Sequence, residues 1–152
     1  MPNESAFTVR LTQDHDYQFR VTFDSPEMAS LVVDEPAPLG TNEGPNAARL
    51  VAAAVANCLS ASLLFAVRKF KEDPGTLAAD AVARIARNEQ GRFRIAGIDV
   101  AIRLGTESAH IGHLDRSLAQ FEDFCMVTQS IRQGIPVHVE VKDATGRVVH
   151  QA

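Results

Sequence analysis

Apolar and polar residues alternate along the first part of the chain. Residues 7–11 (FTVRL) and 17–23 (YQFRVTF) follow the period of two that is typical of half-buried strands, and His15 and Asp16 between them suit a hairpin turn. A third, short strand is predicted over residues 30–34. It ends at the proline-rich segment that follows, because prolines lack the backbone donors that a strand needs. The pattern predicts an antiparallel meander of three strands.

The longest apolar segment is residues 46–71, NAARLVAAAVANCLSASLLFAVRKFK, in which residues 51–67 carry no charge. Asn46 follows a glycine-containing loop and is a good N-cap, while the cations after residue 67 suit a last helical turn. The uncharged run of 17 residues is rich in alanine, whereas a membrane span needs about 20 mostly apolar residues. We therefore predict a buried central helix that protein covers on all sides, rather than a membrane span.

Two further strands are predicted after this helix. Residues 77–88 (LAADAVARIARN) contain small residues that a helix tolerates, but their alternation with charged residues favours a long strand. Residues 93–104 (FRIAGIDVAIRL) are strand-like with an interruption at Gly97. The segment Glu89-Gln90-Gly91 suits a hairpin connection, so the two strands are expected to form a long antiparallel ribbon.

The last third of the chain favours helices followed by a strand. Residues 110–124 place Leu114, Leu118 and Phe121 at helical spacing, which predicts a second helix packed on the first. Residues 125–133 predict a further short helix with Gly134 as its C-cap, and residues 135–141 alternate as a strand that closes a sheet. The order βββαββααβ predicts an α+β fold in which antiparallel sheets pack around the central helix.

Composition indicates one globular domain over residues 1–152. The chain is 45% hydrophobic and 22% charged, which is typical of a folded protein of this length. Its net charge of -4 and its dispersed lysines and arginines give no basic patch, so nucleic acid is not an expected partner. The N-terminal sequence lacks the basic start and apolar core of a signal peptide, so we expect a cytoplasmic protein.

The candidate chemistry centres on two cysteines, Cys58 and Cys125. They lie 67 residues apart, so no CxxC redox or zinc motif is present, and each lies in an apolar helical segment. They are interpreted either as inert buried thiols or as catalytic or redox-sensing ones. His110 and His113 have a spacing that suits one helical face, but a metal would need further ligands such as Asp115, and no metal site is predicted.

A resemblance to a known family connects the two cysteines. The segment GTNEGPNAARLVAAAVANCLSASL and the segment FCMVTQSIRQGIPVHVEV resemble the two cysteine motifs of the OsmC/Ohr family, the osmotically inducible protein C and organic hydroperoxide resistance proteins. In that family a GPNP-type loop leads to a central helix with the first cysteine. A C-x-V-[ST]-x-S-[ILVM]-R-x-G segment carries the second, and residues 125–134 fit it. The match covers roughly residues 32–141, most of the chain.

The resemblance implies an OsmC-like intertwined homodimer with a thiol peroxidase reaction. Cys58 would be the peroxidatic cysteine and Cys125 the resolving one, joined in a disulfide during the cycle. An arginine on an N-terminal strand holds the thiolate in the hydroperoxide resistance branch, and Arg20 is the positional candidate here, with Arg10 a weaker one. No cofactor is implied. The expected partners are a second copy of the chain, a hydroperoxide and an external dithiol, without nucleic acid or membrane.

The sequence departs from the family at a carboxylate. The family has a glutamate early in the central helix, and the corresponding position, ten residues before Cys58, is Ala48. Glu43 in the preceding loop is a possible substitute, and Arg49 is a further candidate cation. The sequence thus predicts a cysteine-based peroxidase for organic hydroperoxides. The alternative is a non-enzymatic OsmC-like dimer that binds a small hydrophobic ligand in its apolar cleft.

Overall fold

The chain forms two compact units in a computed structural model, which describes residues 4–135 and 137–152. Unit 1 contains residues 4–57 and 78–103, and unit 2 contains residues 58–77 and 104–152 apart from Pro136. The boundary falls within the central helix, so Cys58 is the first residue of unit 2. The single domain expected over residues 1–152 stays a prediction.

Unit 1 begins with a three-stranded antiparallel sheet in the order β1-β2-β3. Its strands are β1 (Val9–His15), β2 (Gln18–Phe23) and β3 (Leu31–Val33). Asp16 has a φ of 45° in the turn between β1 and β2, a left-handed conformation that aspartate tolerates better than most residues. The predicted meander is confirmed, although β1 extends further along the chain than residues 7–11.

The loop after β3 connects it to the central helix, α1 (Ala47–Lys69). Gly44 passes so close to the backbone carbonyl of Val32 that a Cβ atom would collide with it. Asn46 then caps α1, because its Oδ1 atom accepts a hydrogen bond from the backbone N–H of Arg49 at 3.1 Å. The predicted N-cap is confirmed.

The prediction that protein covers α1 on all sides is wrong for the single chain. Ala66 and Val67 are fully buried, but Ala54, Ala61 and Phe65 are exposed on another side of the helix. The sheets and helices of one chain do not cover every side of a helix of 23 residues. Among the described residues, α1 is also the one helix long and apolar enough to cross a membrane by length and composition. Its fully buried residues instead suit the core helix of a globular fold.

Strands β4 (Ala78–Arg87) and β5 (Phe93–Arg103) form the predicted long antiparallel ribbon in unit 1. Arg84 pairs with Gly97 and Ile85 with Ile95, so a bulge lies next to Gly97, where the sequence predicted an interruption. One face of the ribbon carries two ion pairs, Arg103–Asp80 and Arg84–Asp99. The other face is apolar and leaves Ile85 and Ile95 exposed.

Unit 2 contains two short helices and a C-terminal hairpin. Helix α2 (Leu114–Gln120) and helix α3 (Met126–Gln133) replace the predicted helices, and short 3-10 turns precede and follow α2. The hydroxyl of the fully buried Ser117 lies 3.3 Å from the carbonyl of Ala66, so α2 packs on the second half of α1 as predicted. The predicted contact face is wrong, however, because Leu118 is exposed and the smaller Ser117 permits the close approach.

The C-terminal hairpin consists of β6 (Glu140–Lys142) and β7 (Val148–Gln151), which pair with each other. The strand predicted over residues 135–141 is therefore shorter and shifted, and its Pro136 lies outside the described residues. Strand β7 was not predicted. Antiparallel sheets with helices confirm the α+β fold class, but the described strands form three separate groups rather than one sheet.

Candidate functional site

The two cysteines come together within unit 2. Cys58 lies near the middle of α1 and is half-buried, whereas Cys125 immediately precedes α3 and has no exposed surface. Both cysteines are free thiols, and each shifts the pKa of the other. The structure therefore brings close together two residues that are 67 positions apart in the sequence.

The local structure of Cys125 differs from the sequence prediction. Cys125 has an extended backbone and is the N-cap of α3, with its carbonyl accepting from the N–H of Gln129 at 3.0 Å. The first amides of a helix have no partners within the helix. In this protein the backbone of Val127 lowers the pKa of Cys58, and the backbone of Thr128 lowers the pKa of Cys125. The start of α3 thus affects both thiols.

Two buried hydroxyl groups complete the surroundings of the thiols. The Cys125 thiol donates to Oγ1 of Thr128 across 3.0 Å, and Ser62, one turn after Cys58 on α1, lowers the pKa of both thiols. Ser62 and Thr128 are each 6% exposed. Hydroxyl groups stabilise a thiolate more than apolar surroundings do, so these two residues oppose the effect of burial on the thiols.

The surroundings shift the two thiols in opposite directions. Burial raises the pKa of Cys58, and the hydrogen bond and charge of Cys125 raise it further against the opposing effects of Val127 and Ser62. Burial would also raise the pKa of Cys125, but hydrogen bonds from Thr128, Cys58 and Ser62 outweigh it and lower that pKa. Two charges this close cannot form equally easily, so the two thiols lose their protons in separate steps that belong to the pair.

A cluster of contacts around Glu122 fixes the segment that carries Cys125. The backbone carbonyl of Glu122 accepts from the N–H of Cys125 at 3.0 Å and from the side chain of Gln129 at 3.1 Å. The carboxylate of Glu122 also pairs with Arg132 at 3.2 Å. This ion pair connects α3 to the turn that precedes Cys125.

The predicted thiolate-holding cations all lie in unit 1. Arg20 is on β2, where its guanidinium pairs with Asp14 at 3.1 Å and reaches Ser30 at 3.4 Å. Arg10 lies on the neighbouring strand β1, and Arg49 is exposed in the first turn of α1. Within this unit Arg20 is therefore engaged with a carboxylate of its own hairpin.

Ala48, which takes the place of the family glutamate, lines a groove of unit 1. The groove has a volume of about 490 Å³ and lies between α1 and the apolar face of β4, with alanines on both walls. A second hollow of about 330 Å³ adjoins Ala48 and also contains the side chain of Glu35. Glu43, the substitute considered from the sequence, is exposed, and its backbone N–H donates to Asp34.

His110 and His113 do not form a metal centre with their neighbours. His113 precedes α2 with a φ of 56° and packs on Phe70, with 5.1 Å between the ring centres, while His110 lies in a 3-10 turn near Glu107. Across residues 4–135 and 137–152, no group of three or more histidine, cysteine, aspartate or glutamate side chains is placed to hold a metal ion.

The sequence analysis missed Ser62 and Thr128. Ser62 follows Cys58 by four residues and so lies on the same face of α1, which was a usable signal. Thr128 follows Cys125 by three residues, the spacing at which an N-cap faces the first turn of its helix. That signal was hidden because Cys125 was interpreted as the first residue of a helix over residues 125–133 rather than as its N-cap.

Comparisons with known proteins identify the family and the fold. The family described as OsmC-like protein matches residues 40–140. An OsmC-like protein of unknown function from Vibrio cholerae has a similar structure, with a TM-score of 0.69, 14% identity, and coverage of 83% of this chain and 93% of that one. No curated protein matches the chain in sequence.

Two structures of organic hydroperoxide resistance proteins have the same fold. The protein from Elizabethkingia anophelis has a TM-score of 0.65 and 20% identity, over 90% of this chain and 95% of that one. The protein from Bacillus subtilis has a TM-score of 0.61 and 18% identity, over 86% and 95%. The family match spans both cysteines and about two thirds of the sequence, so the chain belongs to the OsmC-like protein family.

Proposed function

We propose that this protein is a cysteine-based thiol peroxidase that reduces organic hydroperoxides, with Cys58 as the peroxidatic and Cys125 as the resolving cysteine. The observation that carries the proposal is the contact between the two thiols inside unit 2. Cys58 is the more accessible thiol and therefore the one that a peroxide reaches. Cys125 is buried beside it, as suits a thiol that reacts only with its neighbour.

The proposed cycle balances without a cofactor. The sulfur of Cys58, as thiolate, attacks the terminal oxygen of the hydroperoxide, and the O–O bond breaks to give a sulfenic acid and an alkoxide. A proton converts the alkoxide to an alcohol. The sulfur of Cys125 then attacks the sulfenic sulfur, so a disulfide forms and water leaves. An external dithiol reduces the disulfide and is itself oxidised to a disulfide.

The proposal includes a soluble, cytoplasmic homodimer. Unit 1 leaves Phe93 61% exposed and Ile85 50% exposed on the apolar face of the β4–β5 ribbon. Within unit 2, Phe65 of α1 is 57% exposed. Large apolar side chains clustered at a surface are typical of an interaction site. A second copy of the chain is the occupant that the resemblance to OsmC-like proteins implies for these surfaces.

Stopped-flow measurement of cumene hydroperoxide consumption by the reduced protein tests the proposal. We expect Cys58→Ser to lose activity, because it removes the attacking sulfur, and Cys125→Ser to lose turnover, because no disulfide forms. Ser60→Ala, a substitution on the same helix two residues from Cys58, is the matched control and should retain activity. Unchanged activity in Cys58→Ser would overturn the proposed role of Cys58, and a wild type that consumes no hydroperoxide would favour a non-enzymatic dimer that binds an apolar ligand.

A further inference from the structure

Cys125 is fixed at all three of its polar groups. Its backbone N–H donates to the carbonyl of Glu122 at 3.0 Å, and its own carbonyl accepts from the N–H of Gln129 at 3.0 Å. Its thiol donates to Oγ1 of Thr128, again at 3.0 Å. Two of these three partners belong to the first turns of α3. The start of α3 therefore determines how the Cys125 segment, residues 121–125, is oriented.

The side chain of Gln129 adds a contact that a helix start does not need. The bond from its backbone N–H to Cys125 is the first bond of α3 and would form with any residue except proline. Its Nε2 atom also donates at 3.1 Å to the carbonyl of Glu122, which already accepts from Cys125. Both lone pairs of this carbonyl are therefore occupied, and one residue of α3 holds Cys125 and the turn before it.

The ion pair between Glu122 and Arg132 connects the same two parts of the chain but contributes less. Its nitrogen and oxygen atoms lie 3.2 Å apart, and the two side chains are 48% and 52% exposed. Solvent screens such a pair, and two long side chains lose freedom when it forms. Gln129 is half-buried, so its hydrogen bond competes less with water. We therefore expect Gln129, rather than the ion pair, to hold the Cys125 segment.

The other side of the Cys125 segment packs on α1. The ring of Phe124 lies edge-on to the ring of Phe65, with 5.2 Å between their centres. Phe65 follows Cys58 by seven residues, which is two turns along the same face of α1. The Cys125 segment is thus held between the helix that carries Cys58 and the helix that carries Gln129.

We propose that Gln129 is a positioning residue for the resolving step: it holds the Cys125 segment in place, so that Cys125 captures the sulfenic acid of Cys58 before a second hydroperoxide reaches it. This proposal rests on the proposed peroxidase function. Two reacting groups that are held in place react faster, because less freedom is lost on the way to the transition state. Gln129 occupies an unspecified position of the C-x-V-[ST]-x-S-[ILVM]-R-x-G segment, so the motif did not indicate it.

Two reactions compete for the sulfenic acid of Cys58. In the first, the sulfur of Cys125 attacks the sulfenic sulfur, the S–O bond breaks, and the thiol proton leaves with the hydroxyl group as water, which gives a disulfide. In the second, the sulfenic sulfur gives an electron pair to the terminal oxygen of another hydroperoxide, and the O–O bond breaks. A sulfinic acid forms, and the released alkoxide takes a proton to form an alcohol. Only the second reaction speeds up with hydroperoxide concentration, so Gln129 sets the concentration at which Cys58 is inactivated.

Mass spectrometry of Cys58 after exposure to increasing cumene hydroperoxide tests the proposal. Gln129→Met keeps a side chain of similar length but removes its N–H donor. The hydroperoxide concentration that gives equal amounts of disulfide and sulfinic acid should fall by about fivefold, the factor for one lost hydrogen bond. The rate at which Cys58 first forms a sulfenic acid should stay unchanged, which separates a positioning role from a general loss of structure. Gln129→Glu also lacks the donor at neutral pH and should behave like Gln129→Met.

Gln133→Met is the matched control, because Gln133 is an exposed glutamine one turn later on α3. It should leave the balance between disulfide and sulfinic acid unchanged. Glu122→Gln removes the ion pair with Arg132 but keeps the backbone carbonyl, so its effect should be smaller than that of Gln129→Met. An unchanged balance in Gln129→Met, or an equal shift in Gln133→Met, would overturn the proposal. A larger shift in Glu122→Gln than in Gln129→Met would also overturn it.

A reaction without hydroperoxide separates this proposal from the proposed function. One thiol adds across the N=N bond of diamide, and the second thiol then displaces the resulting hydrazine as the disulfide forms. If the wild type consumes no hydroperoxide, the proposed function fails, whereas disulfide formation with diamide still measures how Cys125 is held. Slower closure of the disulfide in Gln129→Met than in the wild type would support the positioning role, and equal or faster closure would overturn it.

Discussion

Asp34 is a buried carboxylate that organises the loop before α1. It is 4% exposed, and its Oδ2 atom accepts from the N–H of Thr41 at 3.1 Å, the hydroxyl of Thr41 at 3.0 Å and the N–H of Glu43 at 3.2 Å. Its other oxygen accepts from the N–H of Glu35 at 2.8 Å. Burial alone would raise the pKa of Asp34, but these hydrogen bonds outweigh it and lower the pKa.

We expect Asp34→Asn to reduce the denaturation midpoint at neutral pH, because an amide cannot accept all four hydrogen bonds with the strength of a carboxylate. A lowered folded-state pKa contributes stability above the unfolded-state pKa, and this contribution is lost as the pH falls through the folded-state value. The difference between the denaturation midpoints of wild type and variant should therefore become smaller in strongly acidic solution. Urea unfolding over a range of pH measures this difference.

The control for this prediction is Asp143→Asn. Asp143 also accepts hydrogen bonds from a loop, through Thr145 and Arg147, but it is exposed in the turn between β6 and β7. Asp143→Asn should therefore cause a smaller loss of stability than Asp34→Asn. The difference in denaturation midpoint between wild type and Asp34→Asn could instead stay constant from neutral to strongly acidic pH. That result would show that the charge of Asp34 does not stabilise the fold.

Single residues divide into those that the sequence could assign and those that it could not. Cys58 and Cys125 were assigned because each lies in a motif with fixed neighbours. Asp34 lies in no such motif, because its importance comes from hydrogen-bond partners that approach only after folding. A buried polar residue is recognised by its contacts, and those are not periodic along the chain.

At the scale of elements, the cap of α1 gives a direct prediction. Asn46→Ala should cost about 1 kcal/mol of stability, because the N–H of Arg49 loses its acceptor at the start of the helix. Asn46→Asp keeps an acceptor at the same position and should retain most of the stability. Urea unfolding followed by circular dichroism compares them. Equal stability of the alanine variant and the wild type would show that the cap is dispensable.

Most strands and helices were predictable because local patterns determine them. The alternation in residues 77–88 was enough to favour β4 over a helix, and Gly134, with a φ of 79°, ends α3 as predicted. The helix expected over residues 110–124 is shorter than predicted, since the left-handed backbone of His113 precedes its start at Leu114 and a 3-10 turn follows Gln120. Helical spacing alone does not reveal where the chain turns to follow a neighbouring element.

At the scale of the whole molecule, the two faces of the β4–β5 ribbon differ in chemistry. Val82 lies on the face that carries the ion pairs Asp80–Arg103 and Arg84–Asp99. The charged residues of this face are suited to contact with solvent. Ile85 and Ile95 are cross-strand partners on the opposite, apolar face and are 50% and 40% exposed. The sequence predicted a strand pair with two faces, but not that a single chain leaves the apolar face uncovered.

This difference supplies a matched test of the proposed homodimer. Ile85→Lys places a charge on the apolar face, so it should weaken dimerisation by roughly ten- to a hundredfold, the equivalent of about 1.5–3 kcal/mol for losing one buried apolar side chain. Val82→Lys makes a similar change on the same strand at a residue that is 59% exposed, and it should leave dimerisation unchanged. Sedimentation equilibrium measures both. A monomeric wild type at micromolar concentration, or equal effects of the two substitutions, would rule out the apolar face as the dimer contact. A selective effect of Ile85→Lys would mean that a second copy of the chain completes the core of this fold.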